Sequence, residues 1–135
     1  LEKFISLCSK ETWFDKTLFV FLADHGVPMN VKYDLPLNYH HIPLVFYAPK
    51  FISPKEFSDL GTQMDVFPTI MGILKLPYIN NTLGIDLRNE KRPFTYFNSD
   101  DKYGISSEDY FFISKDSGDK LLFERNEIEN IFEFF

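Results

Sequence analysis

The stretch TLFVFLADHG, Thr17 to Gly26, constrains this chain more than any other. Six residues without a charge, Thr17 to Leu22, are too few for a membrane span and lack the spacing of an amphipathic helix. Such a run fits a strand covered on both faces, as in parallel sheets with helices packed above and below. A second run, Ile42 to Tyr47 (IPLVFY), reads the same way. Pro43 places its beginning outside the central ladder, because proline has no N–H to donate. Two strands do not make a stable sheet alone. Either strands farther along the chain complete this one, or a larger sheet has been cut.

Other elements follow from periodicity and punctuation. Leu1, Phe4, Ile5 and Cys8 recur at helical spacing, so residues 1–10 read as an amphipathic helix, followed by a turn at Thr12 to Lys16. Residues 26–41 read as irregular, and Ser53 to Glu56 as one short helical turn. Asp65 is expected to cap the clearest helix, with Pro68 in its first turn, an apolar stripe of Val66, Phe67, Ile70, Met71, Ile73 and Leu74, and Pro77 after its end. Phe94 to Phe97 reads as a strand. Tyr110 to Ile113 and Lys120 to Glu124 read as a hairpin around the turn-rich Lys115 to Asp119. The tail, Ile128 to Phe135, reads as a docked helical turn or a disordered end. The predicted class is α/β, a partial sheet flanked by helices, with antiparallel strands toward the C-terminus.

With 135 residues, the chain reads as one domain without an internal boundary. No stretch approaches the roughly 20 apolar residues of a membrane span, and the acidic, amphipathic start is not a signal peptide. The net charge of −6 argues against a nucleic-acid partner, since no basic cluster exceeds Lys91-Arg92. The single Cys8 excludes an internal disulfide and reads as a small buried hydrophobe.

Chemistry points to the end of the first run. In open α/β sheets, ligands bind beyond the carboxyl ends of strands. Neighbouring side chains inside a strand face opposite ways, but past its end Asp24 and His25 are free to converge, and Gly26 permits a sharp turn. A carboxylate oxygen with an imidazole nitrogen suits Zn²⁺ or Mn²⁺ better than Ca²⁺. The plainer alternative is a turn in which Asp24 caps an amide and His25 is solvated. Gln63 reads as fixing its loop, Asp86 as structural, Arg88, Lys91 and Arg92 as solvated surface, and Asn80-Asn81-Thr82 as a turn.

Four segments in order, TLFVFLADHG, HIPLVFYAP, TQMDVFPTIMGIL and LGIDL, resemble the C-terminal part of the sulfatase-like branch of the alkaline phosphatase superfamily. The likeness is strongest to lipoteichoic acid synthases and phosphoglycerol transferases, and it covers about residues 1–100. It implies that Asp24 and His25 bind a catalytic divalent metal (Mn²⁺, Zn²⁺ or Mg²⁺). It also implies that the nucleophile and a further acidic ligand lie upstream of this chain, since Cys8 lacks the Pro and Arg of the modified cysteine in true sulfatases. Residues 1–135 are then expected to be the C-terminal portion of a catalytic domain, inactive alone. His41, and less so His40, are expected to meet substrate or to protonate a leaving oxygen. The implied activity of the parent is transfer or hydrolysis of a phosphate or sulfate ester, most closely phosphoglycerol or a similar lipid head group. Its implied place is the outer face of a bacterial membrane, anchored through a segment outside this chain. The rivals are a true sulfatase or phosphonate hydrolase and a non-catalytic binding scaffold. A free piece of such a sheet exposes an edge, so self-association is expected.

Overall fold

Helix α1, Glu2–Cys8, forms where the sequence periodicity places it, and Cys8 is buried. It ends as the Ser9 hydroxyl turns back to donate to the Ser6 carbonyl at 3.0 Å. The computed structural model describes residues 1–27 and 35–125. The chain divides into two compact units, Leu1–Glu56 and Phe57–Phe135, at a point where the sequence shows no boundary. The tail expectation lies outside the described residues.

In the first unit, strand β1 (Phe19–Leu22) pairs with β2 (Leu44–Tyr47). The pairing is antiparallel, with Phe19 opposite Tyr47 and Leu22 opposite Leu44, which corrects the expectation of parallel strands. A parallel pair needs a crossover of a dozen or more residues, usually a helix. The described part of the intervening segment holds a single helical turn, α2 (Leu37–His40), in a stretch expected to be irregular. Opposite partners share a face, so Phe19, Phe21, Val45 and Tyr47 point one way. Phe4 of α1 meets Phe19 and Phe21 edge-on at 6.0 and 6.4 Å. Phe14, itself 8% exposed, adds its ring to Phe19 at 5.6 Å. Leu35 and Ala48 are also buried. The two-faced burial expected for these strands does not hold: Leu22 is 45% and Val45 46% exposed. Two strands alone have too little sheet to cover both faces.

Residues 53–56 have no regular structure. The ring of Pro54 disfavours the helical region for Ser53.

The second unit starts with a 3₁₀ turn, Gln63–Asp65, running into helix α3, Val66–Leu74. The helix stops because Lys75 takes a left-handed conformation (φ 53°), which lets Lys75 and Leu76 N–H return to the Gly72 and Met71 carbonyls. Its fully buried residues are Pro68 and Thr69, whereas Phe67 of the expected apolar stripe is 50% exposed. Thr69 is buried because its hydroxyl accepts the Leu87 N–H at 3.1 Å and so ties helix to loop.

Four strands follow in sequential antiparallel order: β3 (Phe94–Ser99), β4 (Lys102–Ser107), β5 (Tyr110–Lys115) and β6 (Lys120–Glu124). The β5–β6 hairpin is as expected. Strand β4 was not expected, since Lys102–Ser107 mixes one isoleucine with lysine, glycine and serines. Phe97, Phe111 and Phe123 stack across the sheet at 5.9 and 6.2 Å, and Phe111 and Ile113 are fully buried. This sheet is separate from the β1–β2 pair. The downstream strands therefore do not complete the first sheet.

Gly72 of α3 packs against an ion pair. A Cβ there would stand 2.0 Å from Asp86 Oδ2 and 2.8 Å from Arg88 Nη2. Alanine gains up to about 1 kcal/mol of helix propensity over glycine, but overpacking costs about 1–3 kcal/mol. Gly72→Ala is therefore expected to be net destabilising by about 1 kcal/mol, read as a lower urea midpoint.

Candidate metal centre

Antiparallel pairing decides what shares the rim with Asp24 and His25. Because Leu22 is opposite Leu44, the carboxyl end of β1 and the amino end of β2 lie at the same end of the sheet. His40 and His41, expected at the rim where β2 begins, are thus at the rim where β1 delivers Asp24 and His25. In a parallel sheet they would have been at the other end.

The two segments are joined by backbone. Gly26 N–H donates to the Tyr39 carbonyl at 2.7 Å, and His41 N–H closes the α2 turn on Leu37 at 2.8 Å. The fit is close enough that a Cβ on Gly26 would stand 2.1 Å from the Asn38 carbonyl oxygen. This contact, rather than an unusual turn, is what requires glycine. Side chains follow the backbone. The His25 ring lies on the Tyr39 ring, centroids 4.7 Å apart and planes 19° from parallel. Tyr39 in turn meets His40 edge-on at 5.2 Å.

Asp24 and His25 point to the same side. Asp24 Oδ2 lies 3.7 Å from His25 Nε2, with the Asp24 side chain 89% and the His25 side chain 51% exposed. Asp24 Oδ1 accepts the His25 amide at 2.9 Å. The His25 amide, Asp24's own amide and, in its protonated form, the neighbouring imidazolium hold the Asp24 carboxyl below its ordinary range, so it is ionised throughout neutral pH. His25 Nδ1 is 2.8 Å from the Gly26 carbonyl oxygen. A carbonyl only accepts, so in the neutral ring Nδ1 carries the proton and Nε2, 3.7 Å from Asp24 Oδ2, keeps its lone pair.

That donor set fits a divalent cation. Two ligand atoms about 2.1 Å from one Zn²⁺ at a tetrahedral angle stand about 3.4 Å apart, close to the 3.7 Å found. A ligating histidine also usually donates its other N–H to a carbonyl or carboxylate, as here. Two donors do not make a closed site, and no group of three His, Cys, Asp or Glu side chains gathers among the described residues.

The two histidines differ. His40 is half-buried, and burial lowers its pKa, so it is neutral at pH 7. His41 is exposed at the start of β2. Tyr39 escaped the sequence reading, because neither spacing nor residue type distinguishes it from its neighbours. Only the antiparallel register brings it over His25.

Two other expectations are corrected. Asp65 stands at the N-cap position of α3 but makes no side-chain cap there; with Thr62 it closes a capping box one turn earlier, on the 3₁₀ turn that runs into α3. Its buried carboxylate instead accepts from Thr62 N–H (2.7 Å), the Thr62 hydroxyl (3.0 Å) and Ile85 N–H (2.8 Å). Arg92, expected on the surface, lies under the loop with its side chain 12% exposed and donates to the same carboxylate through Nε (2.7 Å) and Nη2. Asp86 is structural, as expected. It pairs with the part-exposed Arg88 at 3.1 Å. Asn80 Oδ1 accepts from Thr82 N–H and hydroxyl, which makes that tripeptide a turn.

Residues 1–76 match the family model for sulfatases. The chain belongs to the sulfatase family. Among curated proteins it is similar to arylsulfatase K of Gallus gallus, 24% identical over 92 residues. That match covers 64% of this chain and 17% of the relative. Among solved structures it is similar to a protein in the alkaline phosphatase superfamily from Vibrio parahaemolyticus, with a TM-score of 0.78 and 20% identity over 89% of this chain and 30% of that one. At this identity the structural likeness speaks for the fold, a mixed α/β arrangement of the alkaline-phosphatase kind. The chain thus spans less than a third of the length of either. Sulfatase-family enzymes generally use divalent metals.

Proposed function

We propose that Asp24 and His25 are two ligands of a divalent cation, Mn²⁺, Zn²⁺ or Mg²⁺, in an enzyme that transfers or hydrolyses phosphate or sulfate esters. The observation that carries this reading is the facing of Asp24 Oδ2 and His25 Nε2 at 3.7 Å, with Nδ1 committed to the Gly26 carbonyl. The bound cation would neutralise ester oxygens and favour a deprotonated nucleophile. The chain's own residues supply the rest. Asp24 brings a full negative charge, Gly26 fixes the tautomer of His25, and the exposed His41 stands at the same rim to meet an ester oxygen or give a proton to a leaving group.

The likeness of TLFVFLADHG and HIPLVFYAP to phosphoglycerol transferases favours transfer of phosphoglycerol, or a similar lipid head group, at the outer face of a bacterial membrane. A second reading, hydrolysis of a sulfate ester, has the similarity to arylsulfatase K in its favour. Under either reading the 135-residue chain by itself turns over neither nitrophenyl phosphate nor nitrophenyl sulfate.

The test is Mn²⁺ binding by the chain, followed through loss of the free-Mn²⁺ electron paramagnetic resonance signal, with broadening of the His25 ring protons locating the ion in the wild type. Asp24→Ala and His25→Ala are each expected to weaken binding by about ten-fold or more, the loss of one of two donors. Equal affinity in both variants and the wild type would overturn the assignment.

A further inference from the structure

We infer that Tyr39 is a positioning residue that holds the His25 ring ready for the cation. The inference rests on the metal reading of Asp24 and His25. His25 is otherwise poorly braced: its side chain is half exposed and β1 has already ended. One hydrogen bond among the described residues, Nδ1–H to the Gly26 carbonyl, leaves the ring free to swing about that anchor. The Tyr39 face removes this freedom, since the rings lie 4.7 Å apart and 19° from parallel. Offset stacking of this kind favours one ring plane over the others. Tyr39 is itself fixed from two sides. Its carbonyl accepts the Gly26 N–H at 2.7 Å, and His40 meets its ring edge-on at 5.2 Å. The same residue therefore holds both the turn that carries His25 and the plane of the His25 ring. The held plane keeps Nε2 3.7 Å from Asp24 Oδ2. A solvated histidine in a turn gains nothing from this arrangement, whereas a ligand loses less freedom when the cation arrives.

The test compares Tyr39→Phe with Tyr39→Leu in the full chain, with Mn²⁺ as the probe. Leucine keeps apolar bulk but has no ring face. Tyr39→Phe keeps the stack, so its Mn²⁺ affinity is expected to stay within about two-fold of the wild type. Tyr39→Leu is expected to weaken Mn²⁺ by about three- to ten-fold, the size an aromatic pair contact carries. In the absence of metal, the His25 ring protons should shift downfield in Tyr39→Leu, because the ring current of Tyr39 is gone, and stay in place in Tyr39→Phe. Trp13 fluorescence in urea shows whether the first unit remains folded in each variant.

An unshifted His25 ring in Tyr39→Leu, or Mn²⁺ affinity equal to the wild type, overturns the inference. So does equal weakening in Tyr39→Phe, which would make the hydroxyl rather than the ring responsible. Failure of the underlying metal reading looks different: no Mn²⁺ broadening at His25 in the wild-type chain, while the ring-current shift is still seen. That pattern leaves a stack without a cation and overturns the positioning role too.

Discussion

Replacing Asp65 with alanine is expected to lower the unfolding free energy of the second unit by about 3–5 kcal/mol, the usual effect of removing one partner of a buried pair. The carboxylate is fully buried and gathers the Thr62 amide and hydroxyl, the Ile85 amide and two nitrogens of Arg92. Alanine leaves all of these donors in place, with a guanidinium only 12% exposed and its charge uncompensated. A simple helix cap would cost about 1 kcal/mol, so the magnitude distinguishes the two roles. Urea unfolding of the full chain, with amide exchange followed at Ile85 and Ile113, reads it. A loss near 1 kcal/mol would show that the acid is only a cap. Asp65→Asn should fall between, since an amide keeps some acceptor capacity but none of the charge.

The same carboxylate sets an acid limit. Burial alone would raise the Asp65 pKa, but the hydrogen bonds from Arg92, Ile85 and Thr62 outweigh it and hold the value below normal. A folded-state pKa below the unfolded one adds stability that is fully present above the unfolded value, about 3.9. That stability is lost as pH falls through the lowered, folded-state value. The second unit of the wild type should therefore weaken only below about pH 4, and this part of the acid response should be missing in Asp65→Asn.

How far the sequence reached depended on whether the controlling contact was local. Helices α1 and α3 and the β5–β6 hairpin depend on spacing and turn residues within a few positions, and each was legible. Asp24 and His25 were legible as a pair for the same reason, since a strand end and a glycine are local features. The direction of β2 relative to β1 was not. A continuous apolar run signals burial without saying which way its partner runs, and the signal that would have decided it, a helical pattern in the sequence between the two runs, had to be noticed as missing. Strand β4 was hidden because Gly104 and Ser106 are buried under Phe97 and Phe111 of neighbouring strands, so its inward face carries no apolar pattern. The role of Asp65 was misread because Arg92 is twenty-seven residues away. Local capping chemistry was the only partner that the sequence made visible. Tyr39 failed on both counts: its contact with His25 is non-local and follows from the register that was misjudged.

The other large effect is expected from a single methyl group at Gly26. Gly26→Ala should destabilise the first unit by about 1–3.5 kcal/mol and abolish the Mn²⁺ response at His25. The alanine would bring its Cβ 2.1 Å from the Asn38 carbonyl oxygen and 3.2 Å from its carbon. These are backbone atoms, so no rotamer change relieves the clash, and the two segments must part. Overpacking of this kind costs about 1–3 kcal/mol. Parting also breaks the Gly26 N–H to Tyr39 carbonyl bond, about 1 kcal/mol more. Against this, alanine restricts the unfolded chain and returns about 0.4–1 kcal/mol, which is too little to change the sign. The single tryptophan, Trp13, sits against Phe19 at 6.2 Å in the same unit, so its fluorescence in urea reports the loss directly. A midpoint unchanged from the wild type would mean that the Asp24–Gly26 turn and the Asn38–His41 segment are not held together. The rim that gathers Asp24, His25, Tyr39 and His41 would then not exist as a unit.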